Sequence, residues 1–138
     1  MDTLIAPVMA LVGWSLLVWL VMYVRRIPAM AKAGVKPQDA AFPGSLNVLP
    51  AGARQAADNY NHLMEQPTIF YATALAISVA GHGDALALQL AWGYVVVRIL
   101  HSLIQMTVNL VNLRFLLFTA STITLAVMVV RECVKIWG

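Results

Sequence analysis

Four long apolar stretches, 4–24, 63–80, 86–108 and 115–130, dominate this chain, the last extendable through Val134. Each is near the roughly 20 residues that a helix needs to cross about 30 Å of hydrocarbon. The predicted class is all-α: an integral membrane four-helix bundle with helices over about 4–24, 54–80, 86–108 and 113–134. Composition agrees, since 61% of residues are hydrophobic and 11% charged, where soluble domains carry about a quarter charged residues. At 138 residues the chain makes one domain. Its net charge is only +3 and its nine Lys and Arg residues are mostly single, which argues against a nucleic-acid partner. The single cysteine, Cys133, has no internal disulfide partner. It also lacks an evident activating base.

Ala29-Met30-Ala31 has the look of a signal-peptidase site, but the flanks are wrong for one. Asp2 precedes the apolar run and Arg25 and Arg26 follow it, whereas a secretory signal carries its positive charge first. The first stretch is therefore read as a retained helix. Segment 25–53 is interrupted by Pro28, Gly34, Pro37, Pro43, Gly44, Pro50 and Gly52, so it is expected to be an irregular surface loop. Residues 81–84 and 109–114 are short connections that make neighbouring helices antiparallel. Arg25, Arg26, Lys32, Lys36, Arg54 and Arg114 all fall on one side. The positive-inside rule makes that side cytoplasmic and puts both termini outside, with a bacterial inner membrane as the expected location.

A charge in the middle of a spanning helix costs about 2.5 to 3.5 kcal/mol, so each one needs a partner, a shield or a task. Helix one has none. Helix two carries Asp58, His62 and Glu65 at spacings of four and three, with Asn61 beside them. Helix three carries Arg98, His101, Ser102, Gln105, Asn109 and Asn112, a polar stripe about 21 Å long. Counting inward from each helix's point of entry sets Glu65 level with Arg98 and His101, and Arg114 stands at the mouth of the same region. Pro67 is expected to kink helix two there. An interhelical Glu65–Arg98 ion pair would account for two of these groups as helix glue. The continuation through Gln105 and Asn109 points instead to a hydrated cavity or ligand groove. Its groups are mostly donors, so an anionic ligand bearing carboxylates is expected. His82 and Asp84 are read as solvated turn residues, Trp14, Trp19, Tyr23, Trp92 and Trp137 as interface anchors or packing. The three histidines lack metal-ligand spacing, and no metal site is expected.

The run from Asn59 to Tyr71, NYNHLMEQPTIFY, followed by Arg98-Ile99-Leu100-His101-Ser102 and then Leu113-Arg114 with Ala120-Ser121, resembles the MAPEG family, membrane-associated proteins in eicosanoid and glutathione metabolism, in a bacterial-type form. The resemblance implies homotrimers with active sites between neighbouring subunits, opening to the cytoplasm and taking bent glutathione as co-substrate. It implies that Glu65 and Arg98 hold glutathione and each other, that Arg114 is the catalytic residue stabilising the thiolate, and that His101 and Ser102 match a small polar pair. The thiolate then attacks a hydrophobic electrophile or hydroperoxide held at the bilayer face. Asn61, His62 and Gln105 complete the expected binding set. The chain departs from the pattern in three places: His62 stands where Asn is common, Gln105 where mammalian synthases tend to have Tyr, and Thr119 where one synthase type has Tyr. The implied function is a glutathione-dependent membrane transferase or peroxidase. The alternative is a non-catalytic lipid-binding or partner-regulating protein of the same fold. A small dimeric multidrug exporter fits poorly, because helix one lacks the glutamate such transporters place there.

Overall fold

The first helix, α1, runs Ile5–Ala33 in the computed structural model, which describes residues 3–138. Asp2 lies outside the described residues. At 29 residues, α1 is about 43 Å long. It outlasts the hydrocarbon layer and carries Arg25 and Arg26 as helical residues, where an irregular loop was expected from residue 25. Pro28 is tolerated because it sits on an exposed face near the helix end, where water can serve the carbonyl left open by the missing N–H. The helix stops at Gly34, whose φ of 67° is left-handed. Its N–H donates to the Ala31 carbonyl oxygen, and that of Val35 to Met30. A short 3-10 turn over Pro37–Ala40 follows, closed by the Lys36 N–H donating to Asp39 Oδ2 at 2.8 Å.

The second membrane passage is two helices, α2 over Ala51–Met64 and α3 over Pro67–Val79. Pro67 causes the break: it has no N–H to continue the ladder, yet its fixed φ suits the first position of a new helix. Thr68 seals the junction, its N–H and Oγ1 both donating to the Glu65 carbonyl oxygen. Gln66 bridges outward, Nε2 donating to Thr122 Oγ1 at 2.8 Å while Oε1 accepts from the Tyr94 hydroxyl at 3.1 Å. The 13 residues of α3 span only about 20 Å. This passage therefore takes in the break and the end of α2.

Helix α4 covers Ala85–Met106 and α5 covers Val111–Trp137. Asp84 caps α4 through Oδ1, which accepts from the Ala87 N–H at 2.7 Å. Ala87, Ala91, Tyr94, Arg98, His101 and Gln105 are all buried and repeat at spacings of four and three, so one face of α4 turns wholly inward. Phe70 of α3 stacks on Tyr94 with centroids 4.4 Å apart and planes 14° from parallel. Ala56 and Ala57 let α2 approach Met22 of α1, as small residues do between membrane helices. Leu17, Leu20 and Val24 on α1, and Val127, Val130 and Val134 on α5, remain exposed. Three helices, α1, α4 and α5, are long and apolar enough to cross a membrane.

The turn at 81–84 is less solvated than its composition suggests. His82 Nδ1 lies 2.7 Å from Glu132 Oε1, and Asp84 Oδ2 pairs with Arg131 at 2.8 Å and Lys135 at 3.2 Å, all from the last turns of α5. At the opposite end Arg25 Nη1 donates to the Gly52 and Met106 carbonyl oxygens. That bond gathers the long connection and the α4–α5 turn at one end of the bundle.

Candidate functional site

The end of α2 supplies the first element of the site. A helix terminus leaves carbonyls unpaired and partially negative. Arg98 on α4 meets them, Nη2 donating to the His62 carbonyl oxygen at 3.2 Å. Arg98 is 1% exposed, its guanidinium lies 5.7 Å from the Phe118 ring centroid, and its Nε and Nη1 have no protein partner. Glu65 is 69% exposed and lies 3.8 Å from His62 Nδ1. The expected Glu65–Arg98 ion pair is thus not formed within one chain: the Pro67 break turns the carboxylate outward and offers the guanidinium a backbone carbonyl instead.

One turn along α4, His101 is buried with Nδ1 unpartnered, its ring centroid 6.0 Å from that of His62 and 6.3 Å from that of Phe118. Gln105 is also buried, with Oε1 free. Asn109 takes a positive φ of 49°, which Asn tolerates better than most side chains. Its Oδ1 accepts from Arg114 Nη1 at 2.7 Å, fixing the arginine that opens α5.

Two hollows meet here. One of about 250 Å³ is lined by Gln55, Asp58, Asn61, His62, Glu65, Gln105, Asn109 and Arg114. The other, about 230 Å³, is lined by His62, His101, Val111, Arg114, Phe115 and Phe118. His62 and Arg114 belong to both, so a polar chamber and an apolar one share a wall of two side chains. A larger hollow of about 470 Å³ lies under the 40–49 segment between Arg26 and Arg54 and joins the polar chamber at Asp58 and Asn61.

A family model, described as the MAPEG family, matches residues 4–132, nearly the whole chain. The chain belongs to the MAPEG family. No curated protein and no solved structure matches it. As a MAPEG protein it is an integral membrane protein, and the exposed apolar faces of α1 and α5 are the surfaces suited to lipid.

Within this MAPEG bundle, Asn61, His62, Glu65, Gln105 and Arg114 line one chamber, while His101 lines the other. Ser102 stands apart from both. Its Oγ is 0% exposed and accepts from Trp14 Nε1 at 2.9 Å and Asn59 Nδ2 at 2.6 Å, tying α1, α2 and α4 together. Trp14, read from sequence as an anchor or packing residue, is therefore an interhelical donor. Phe118, Gln55 and the bridging Gln66 escaped the sequence reading. Only Gln66 left a signal there, as an amide inside an apolar run.

Proposed function

We propose that this protein is a glutathione-dependent membrane transferase or peroxidase acting on a hydrophobic electrophile or hydroperoxide. One observation carries the reading: His62 and Arg114 form the shared wall between a polar chamber, lined by amides and charges of both signs, and an apolar one lined by Phe115 and Phe118. A conjugating enzyme needs that adjacency, with a hydrophilic thiol on one side and a lipid-soluble partner on the other. The residues present suit glutathione. Arg98 Nε and Nη1 and Arg114 Nε are buried donors without protein partners, and Gln105 Oε1 is a free acceptor. Such groups are expensive to leave unmatched.

In this reading Arg98 and Gln105, with His62, Asn61 and His101, hold the tripeptide's carboxylates and amides, and the exposed Glu65 carboxylate takes its ammonium. Glutathione supplies the nucleophilic thiol. Arg114 is the catalytic residue, its guanidinium fixed by Asn109 and favouring the thiolate. Ser102 serves by positioning α4. The working unit is a homotrimer with sites between subunits opening to the cytoplasm, which gives the outward-turned Glu65 a neighbouring subunit to face. The 25–53 connection, rich in Arg and Lys, marks that cytoplasmic side.

The test is turnover by the purified protein in detergent or vesicles, with glutathione and a panel of electrophiles and hydroperoxides. Conjugation or peroxide reduction is expected, and Arg114→Ala should lower it about 10²-fold, the usual loss for one charge-stabilising donor. Absence of turnover across both panels overturns the reading, and binding of lipid with no response to glutathione favours the non-catalytic alternative.

A further inference from the structure

We infer that His62 is the general base of this site, taking the proton from the thiol as the sulfur attacks. The inference rests on the glutathione-dependent reading above and adds to it the destination of the proton. His62 is the last polar residue of α2 before the Pro67 break, and with Arg114 it lines both chambers, so it stands where a thiol on the polar side meets an electrophile on the apolar side. Arg114 can stabilise a thiolate but cannot accept a proton. His101 is only 3% exposed and lines the apolar chamber alone. The His62 side chain is 36% exposed. An imidazole is also intrinsically a stronger base than a carboxylate.

The surroundings orient it. Glu65 Oε2 lies 3.8 Å from Nδ1, a carboxylate near enough to favour the imidazolium once the ring has taken a proton. The His101 ring packs edge-on at 6.0 Å, and Arg98 holds the backbone of His62 itself through its carbonyl. The charged groups around the ring are thus Glu65 and Asp58 from its own passage, Arg98 and His101 from α4 and Arg114 from α5. In the step, the thiol S–H bond breaks and its proton passes to the unprotonated ring nitrogen of His62. The sulfur lone pair forms the S–C bond, and the leaving group departs with the electrons of the bond it loses. His62 then yields the proton to that group or to water.

The test is His62→Asn, which replaces the base with the amide common at this position in MAPEG motifs, together with His62→Ala. Both change a half-exposed side chain that also lines the polar chamber, so rates are compared at saturating glutathione, with the affinity of each variant measured alongside. Conjugation at neutral pH should fall about 10²-fold or more and recover as the pH rises into the thiol's own range. Added imidazole should partly rescue His62→Ala. In the unaltered protein, thiolate formation, read by its ultraviolet absorbance, should proceed without proton release to the medium; in His62→Asn it should release one. If His62→Asn keeps the full rate and pH profile while Arg114→Ala is defective, the base assignment is overturned and the glutathione reading stands. If the unaltered protein shows no turnover, both fall.

Discussion

Arg98 and His62 are joined through the backbone, the guanidinium of α4 donating to the carbonyl oxygen of His62 across 3.2 Å. One arginine thereby closes the end of α2 while keeping two nitrogens free. Arg98→Met should lower stability by about 1–3 kcal/mol, the range for stranding a buried polar partner. Arg98→Lys should recover part of the stability but little of the anion affinity, since an ammonium lacks the planar fork. Thermal unfolding in detergent and glutathione titration read the two effects separately.

Gln66 holds the break in place through Tyr94 and Thr122. Interhelical hydrogen bonds of this kind are worth about 0.6 kcal/mol each on average, with about 1.7 as a ceiling. Gln66→Leu should therefore destabilise by roughly 1–2 kcal/mol. Hydrogen exchange should rise chiefly at residues 63–68, because the bonds lost are those that pin the junction.

Ser102 accepts from two donors on different helices, the half-buried Trp14 and the buried Asn59. Ser102→Ala should strand both and cost more stability than the loss of one hydroxyl suggests, about 1–3 kcal/mol for each donor. The folded fraction should bind glutathione with affinity little changed. A large loss of affinity at unchanged stability would place the hydroxyl in the binding site instead.

The four apolar stretches made the all-helical membrane class legible, because no soluble packing accounts for so much uncharged sequence. The inward face of α4 was equally legible from the spacing of Arg98, His101 and Gln105. The path of helix two was not. Pro67 signals a disturbance, but whether the chain kinks or breaks depends on tertiary partners for the freed groups, here Gln66 with Thr122 and Arg98 with the His62 carbonyl. Within one chain the Glu65–Arg98 pair is not made for the same reason, since charge alone cannot reveal a competing backbone acceptor. Pro28 misled in the other direction: on an exposed face it did not end α1.

Asp84 provides the pH dependence. Arg131 above all, with the Ala87 N–H and Lys135, holds its carboxyl far below the ordinary aspartate range. A depressed folded-state pKa means that the contribution to stability is present above the unfolded value, near pH 4, and is lost as pH falls below it toward the folded value. Acid should thus loosen the junction of the 81–84 turn with α5, and Asp84→Asn should lower stability at neutral pH while flattening the acid decline. Unfolding midpoints across pH 2 to 7 check this; equal slopes for both proteins would contradict it.

Under the proposed function, glutathione occupies the chamber lined by Gln105 and Arg114, with Arg98 bonded to the backbone of His62 in its wall. The most direct measurement is the thermal stability of the detergent-purified protein titrated with glutathione, in parallel with Arg114→Ala. Stability should rise with the logarithm of glutathione concentration above the dissociation constant, by about 2.7 kcal/mol at 100 times that constant, with the curve for Arg114→Ala displaced to higher glutathione. No rise at any glutathione concentration, in a protein that lipid still stabilises, would contradict it.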